Sequence, residues 1–194
     1  MPLIYEAILI TLNPDASAHI APMGFREEGG HVVIAPFRPS RTLENIERTG
    51  TVTVNLTDDV RVIAGCLTGR RERPVVATSV IAGFRLADCL AHRELKVERI
   101  EEDAQRPRFF CVEQHSANHA PFRGFNRAQA AVVEAAILAT RLKMLPREKI
   151  SNEIKYLQIS IDKTAGDRER QAWDWIMEKI DAFYAGQEVE KVSP

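Results

Sequence analysis

The chain has 194 residues, 45% of them hydrophobic and 27% charged, with a formal net charge of −1. That length fills one large domain or a domain with an appendage, and the balanced charge argues against a general nucleic-acid binder. No apolar run approaches the roughly 20 residues of a membrane span, so no membrane partner is expected.

The opening "MPLIYEAILITLNPD" lacks a basic stretch, and Glu6 interrupts its apolar run. It reads as a strand rather than a signal peptide. "NPDAS" supplies turn chemistry, "AHIAPMGFR" is a second extended run, "EEGG" is a turn, and "HVVIAPF" is a third strand. "PFRPSRTLENIERTG" then starts a short helix. Arg38 and Arg41 bring cationic donors, Ser40 and Thr42 bring hydroxyls, Leu43 and Ile46 fall at helical spacing, and Gly50 marks the stop. Two readings are open here: an anion at the helix start, or N-capping by Ser40 or Thr42 beside solvated arginines.

"GTVTVNL" alternates, with Val52, Val54 and Leu56 on one face and Thr51, Thr53 and Asn55 on the other. "DDVRVIAGCLTG" predicts a short helix capped by Asp58 or Asp59. "RRERPVVATSVIAGFRLADCLAH" carries no clear period and reads as loop with short elements. "RELKVERIEED" and "RFFCVEQHS" look like an antiparallel pair. Five or six short strands with one helical crossover predict a small β-barrel.

After residue 120 the texture changes. "FNRAQAAVVEAAILATRLKML" is apolar on nearly every side and predicts a buried helix that Pro146 stops, with Asn126 as N-cap. Arg127, Glu134 and Arg141 recur every seven residues, about 700° of helical rotation, so they form one stripe. Glu134, within an apolar run, is expected to be buried and paired from elsewhere. Ile150, Ile154, Leu157 and Ile161 mark a second helix. Ala172, Trp173, Ile176, Ile180 and Phe183 mark a third, capped by Asp167, and the polar tail from Gly186 is expected to fray. The expected organisation is a barrel over residues 1–120 and a helical unit over 121–194.

Chemistry-bearing motifs are sparse. His115 and His119 are four apart, but their segment ends in Pro121 and no nearby cysteine or carboxylate has zinc-like spacing. No metal and no catalytic side chain are expected. G-x-S-x-G, G-x-G-x-x-G and P-loop patterns are absent. Cys66, Cys89 and Cys111 are odd in number and far apart, which predicts reduced thiols in the cytoplasm. In "HAPFRGFNRAQ", Arg123 and Arg127 flank Gly124 and Asn126, so a second helix start also carries two arginines.

"APMG" on a strand, "FRPSRTLENIERTG" leading into "TVTVNLTDD", and "PFRGFNRAQAAVVEAAILATRL" together resemble a prokaryotic family of unknown function. Its members look like flavin reductase-like, FMN-binding split barrels with an added helical unit, and the resemblance runs from about residue 5 to residue 185. It implies an α+β fold, a split β-barrel followed by a three-helix C-terminal unit. It implies a homodimer with FMN near the subunit interface, and a flavoprotein whose reductant would be NADH or NADPH. By the same resemblance, Arg38, Ser40, Arg41 and Thr42 would hold the FMN phosphate. Pro22, Met23 and Gly24 would line the isoalloxazine, with Asn55 facing the same pocket. Arg123, Asn126 and Arg127 would complete the site. A non-catalytic flavin carrier, or an interaction module using "PFRGFNR", are the alternative readings.

Overall fold

The structure, a computed structural model, describes residues 3–192, with side chains through residue 186. The elements run β1 (Tyr5–Leu12), β2 (Ala18–Glu28), β3 (His31–Ile34), α1 (Arg41–Thr49), β4 (Thr51–Leu56), α2 (Arg61–Thr68), β5 (Val75–Ala77), β6 (Phe84–Leu86), β7 (Ala91–Glu101), β8 (Arg108–Asn118), α3 (Arg127–Thr140), α4 (Arg147–Thr164) and α5 (Asp167–Val192). The chain divides into two compact units, Met1–Asp58 with Arg73–Phe122, and Asp59–Glu72 with Arg123–Pro194.

In the first unit six strands close a barrel in the order β1-β2-β3-β8-β7-β4, and β5 pairs with β6 as a separate ribbon. The aperiodic stretch after residue 70 therefore contains a hairpin of two three-residue strands, too short to show a period. One alternating face of the barrel strands makes the core: Ala7, Leu9, Phe25, Val32, Ile34, Val52, Val54, Leu95, Phe109 and Cys111, with Leu43 and Ile46 of α1 packed on it. α1 ends as the sequence predicts, with Gly50 in the left-handed region at φ 65°.

Alternation in β4 misleads on one point. Its second face is not solvated, because Thr53 and Asn55 are 1% and 0% exposed. Asn55 donates to the Ile8 carbonyl and accepts from the Leu86 amide of β6, so the hairpin binds to this polar position rather than leaving it to water.

The second unit has its own core. Val60 and Ala64 pack with Ala128, Val132, Ala135, Ala139, Ile150, Ile161, Trp173, Ile176 and Ile180. α2 starts after Asp59, whose carboxylate accepts from the Arg61 amide. Asn126 caps α3 as expected, accepting from the amides of Ala128 and Gln129. Three expectations are corrected. α3 ends at Thr140, and Pro146 occupies the N-cap position of α4 instead. α5 continues to Val192, past Gly186. Glu134 is exposed rather than buried, as are Arg127 and Arg141 of its stripe, because alanines fill the faces of α3 that pack inward. Glu134 lines an open cavity of about 400 Å³ with Asn152, Glu153, Tyr156 and Leu157. Glu134→Ala is therefore expected to change stability by no more than about 0.5 kcal/mol; a thermal melt showing a loss above about 1 kcal/mol would contradict this placement.

Candidate functional site

Sequence logic concentrates donors at the start of α1, and the structure puts them there. Ser40 is the N-cap and its hydroxyl oxygen accepts from the Leu43 amide at 3.2 Å, which leaves the O–H to donate. Among the described residues no hydrogen bond claims the amides of Arg41 and Thr42, two of the four donors every helix start leaves over. The Arg41 guanidinium is exposed and lies 3.4 Å from Glu44. Of the two opening readings, capping by Ser40 is observed, and the amides of Arg41 and Thr42 stay free of it.

Two of the four expected phosphate groups are otherwise engaged. Arg38 sits 3.1 Å from Glu47 and 3.5 Å from Glu102, a guanidinium held between carboxylates. Thr42 is 3% exposed, and its hydroxyl meets Nε2 of His19 at 3.2 Å. His19 is a residue that sequence reasoning missed. Its signal was position: it stands on β2 four residues before Met23, on the same strand face.

β2 explains why this corner is special. Residues Ala18–Phe25 pair with β1, whereas β3 pairs only with Phe25–Glu28. Along Ala21–Gly24, β2 is therefore paired with β1 but lies outside the register of β3. Pro22, Met23 and Gly24 lie on that stretch. Met23 points its side chain to the barrel core. At Gly24 an added Cβ would come within 2.7 Å of the Ile4 side chain, so its smallness serves the passage of β1 rather than an open ring face.

The remaining expected site residues are distributed otherwise. Asn55 is enclosed, with both amide atoms on backbone partners. Arg123, Asn126 and Arg127 belong to the second unit. There Asn126 caps α3 and also donates to the Thr164 carbonyl of α4 at 3.1 Å, while Arg123 and Arg127 are exposed.

A second polar cluster lies on β7 and β8. Glu94 pairs with His115 across the ladder, and His92 is two residues earlier on the same face. The Glu94 carboxylate accepts from the amides of Ser79, Val80 and Ile81 at 2.6, 2.8 and 2.9 Å, and lies 3.2 Å from Nε2 of His92. Burial alone raises its pKa, but the amides of Ile81, Ser79 and Val80 and the His92 ring overcome that and hold it at about 2. His92 Nδ1 meets His119 Nε2 at 2.9 Å. Desolvation, then Arg85 and His92, push His119 below the usual imidazole range. Read in sequence, His115 and His119 lack a carboxylate; strand pairing, which spacing along the chain does not reveal, supplies one. Cys66, Cys89 and Cys111 form no disulfide and are buried, and burial pushes the Cys111 thiol up to about 12.

The profile of the N-terminal domain of a family described as protein of unknown function, DUF447, matches residues 5–120, and that of its C-terminal part matches residues 126–178. The chain belongs to the DUF447 family. An FMN-bound DUF447 protein from Methanosarcina mazei is 22% identical, with a TM-score of 0.78 covering 92% of this chain and 96% of that one. The 2-nitrobenzoate 2-nitroreductase of Pseudomonas fluorescens is 20% identical over 61% of this chain and 66% of its own, with a TM-score of 0.52. The flavin reductase component of a bacterial two-component tryptophan halogenase is 14% identical over 62% of this chain and 83% of its own, with a TM-score of 0.51. The fold of this DUF447 chain is the flavin reductase-like split barrel followed by a helical unit of three C-terminal helices. No described helix is long and apolar enough to cross a membrane.

Proposed function

We propose that the chain is an FMN-binding flavoprotein that works as a cytoplasmic homodimer and passes reducing equivalents from NADH or NADPH through its flavin. The observation that carries this reading is the start of α1: two unclaimed amides, the Ser40 hydroxyl and the Arg41 guanidinium, beside the Ala21–Gly24 stretch of β2 that β3 does not pair. The donor set fits a phosphate monoester, since every group is a donor or a cation and none is a carboxylate except Glu44, paired to Arg41. From His19 to Met23 is four strand residues, about 13 Å, so one strand reaches from the phosphate end towards the ring end of the ligand. The FMN-bound relative, similar along nearly the whole chain, supports the same ligand.

FMN, when bound, supplies two-electron hydride chemistry. The chain's own residues bind and orient. Arg41 and the α1 amides hold the phosphate, Thr42 keeps His19 in place, and the Ala21–Gly24 stretch of β2 offers backbone donors and acceptors to a polar ring edge, with Pro22 offering only its carbonyl. Leu3, Ile4 and Tyr5 are 68%, 58% and 44% exposed at the start of β1, an apolar run that a second copy would cover. Anaerobic stopped-flow tests the reaction: NADH or NADPH should bleach bound FMN faster than free FMN. Bound flavin that neither donor bleaches within minutes would remove nicotinamide-linked reduction and leave an FMN carrier.

A further inference from the structure

Three of the five histidines in the chain meet on one face of the β7–β8 ladder, around one buried carboxylate. His92 is 2% and Glu94 0% exposed, and His115 is half-buried. One ligand atom from each of His92, Glu94 and His115 lies within 4.8 Å of the other two. We propose that His92, Glu94 and His115 form a site for a divalent transition metal of the Zn²⁺ type, with His119 positioning His92 from behind.

Geometry favours this over a closed hydrogen-bond network. Two ligands of a tetrahedral Zn²⁺ stand about 3.3 Å apart for metal–ligand bonds near 2.0–2.1 Å, and His92 Nε2 is 3.2 Å from Glu94 Oε1. His115 closes the third corner by turning about its side-chain bonds. Its ring makes no hydrogen bond among the described residues and lies 5.7 Å, centroid to centroid, from that of His92. A saturated network would leave no reason for a third imidazole to face the pair.

The supporting shell is already built. The amides of Ser79, Val80 and Ile81 fix the Glu94 carboxylate, and they stay in place when a metal replaces the His92 proton on Oε1. His119 Nε2 lies 2.9 Å from His92 Nδ1. Without metal, the Glu94 carboxylate takes the Nε2–H of His92, and in the neutral ring Nδ1 then accepts from His119. With metal on Nε2, the proton stands on Nδ1 and is donated to His119. Such a partner on the far ring nitrogen is the usual second-shell device of metal-binding histidines. Arg85, a cation whose charge acts on His119, is tied to the carbonyls of Leu86 and Ala87. His119 is exposed and His115 half-buried, so the ion enters from their side. Two histidines and one carboxylate leave further positions of the metal for water or a ligand.

The test is titration of chelator-treated full-length protein with Zn²⁺, read by calorimetry, and with Co²⁺, read by its visible d–d bands. The expected result is one equivalent bound at micromolar concentration or tighter, with the tautomer of His92 changing in nitrogen-resolved NMR. His115→Ala, at a half-buried strand position, should keep the far-UV circular dichroism and bind at least tenfold more weakly. His119→Ala should weaken binding by about 10- to 100-fold. No stoichiometric uptake by the wild type, or equal uptake by a folded His115→Ala, would overturn the assignment.

Discussion

Glu94→Gln is expected to lower the stability of the chain by about 3 kcal/mol. The carboxylate is fully buried and accepts three amide hydrogens from the 79–81 segment and one contact from His92. A glutamine offers one oxygen, and its NH₂ would face donors with a donor. The stabilisation follows from linkage. The folded carboxyl is held at about 2 against an ordinary value of 4.5, and each unit is worth about 1.4 kcal/mol. Because the folded pKa is depressed, this stability is fully present above pH 4.5 and is lost as pH falls through about 2. Denaturant melts with a chelator present should therefore show the gap between wild type and Glu94→Gln at pH 7 shrinking steadily below pH 4.5. An equal gap at pH 7 and pH 2.5 would mean that the charge is not what holds the segment.

Arg41→Ala is expected to weaken FMN at least tenfold and riboflavin less than twofold. Riboflavin lacks the phosphate, and a hydrogen bond to a charged group contributes about 1.5–3 kcal/mol. Ser40→Gly removes the hydroxyl at a cost of only a few tenths of a kcal/mol in capping, so the double substitution should approach a hundredfold loss without unfolding the chain. Arg38→Ala should do far less to FMN, since its guanidinium is held by Glu47 and Glu102. Fluorescence titrations of the variants with both ligands decide this. A larger effect at Arg38 than at Arg41 would move the phosphate away from the α1 amides.

Much of the fold is legible in the chain because it rests on local rules. Alternation in β1 and β4, the glycines after β2, the Ser40 and Asn126 caps and the helical spacing of Ala172, Trp173, Ile176 and Ile180 each point to the element observed. What stays hidden depends on contacts distant in sequence. Asn55 looks solvent-facing because nothing in "TVTVNL" announces the hairpin that covers it. Glu134 looks buried because the alanines around it are apolar, yet on α3 small residues mark the packed faces and the glutamate marks the wet one. The histidine cluster depends on the register that sets Glu94 opposite His115. At the candidate flavin site the residue types were legible at α1, but their commitments were not: Arg38 to carboxylates, Thr42 to His19, Gly24 to Ile4.

The central claim is that this chain binds FMN through its phosphate at the start of α1. Its most direct test is a side-by-side titration of the wild-type protein with FMN and riboflavin, followed by quenching of flavin fluorescence. One FMN per chain should saturate at micromolar concentration, with riboflavin at least tenfold weaker. No saturable FMN binding, or equal affinity for the two flavins, would contradict the account.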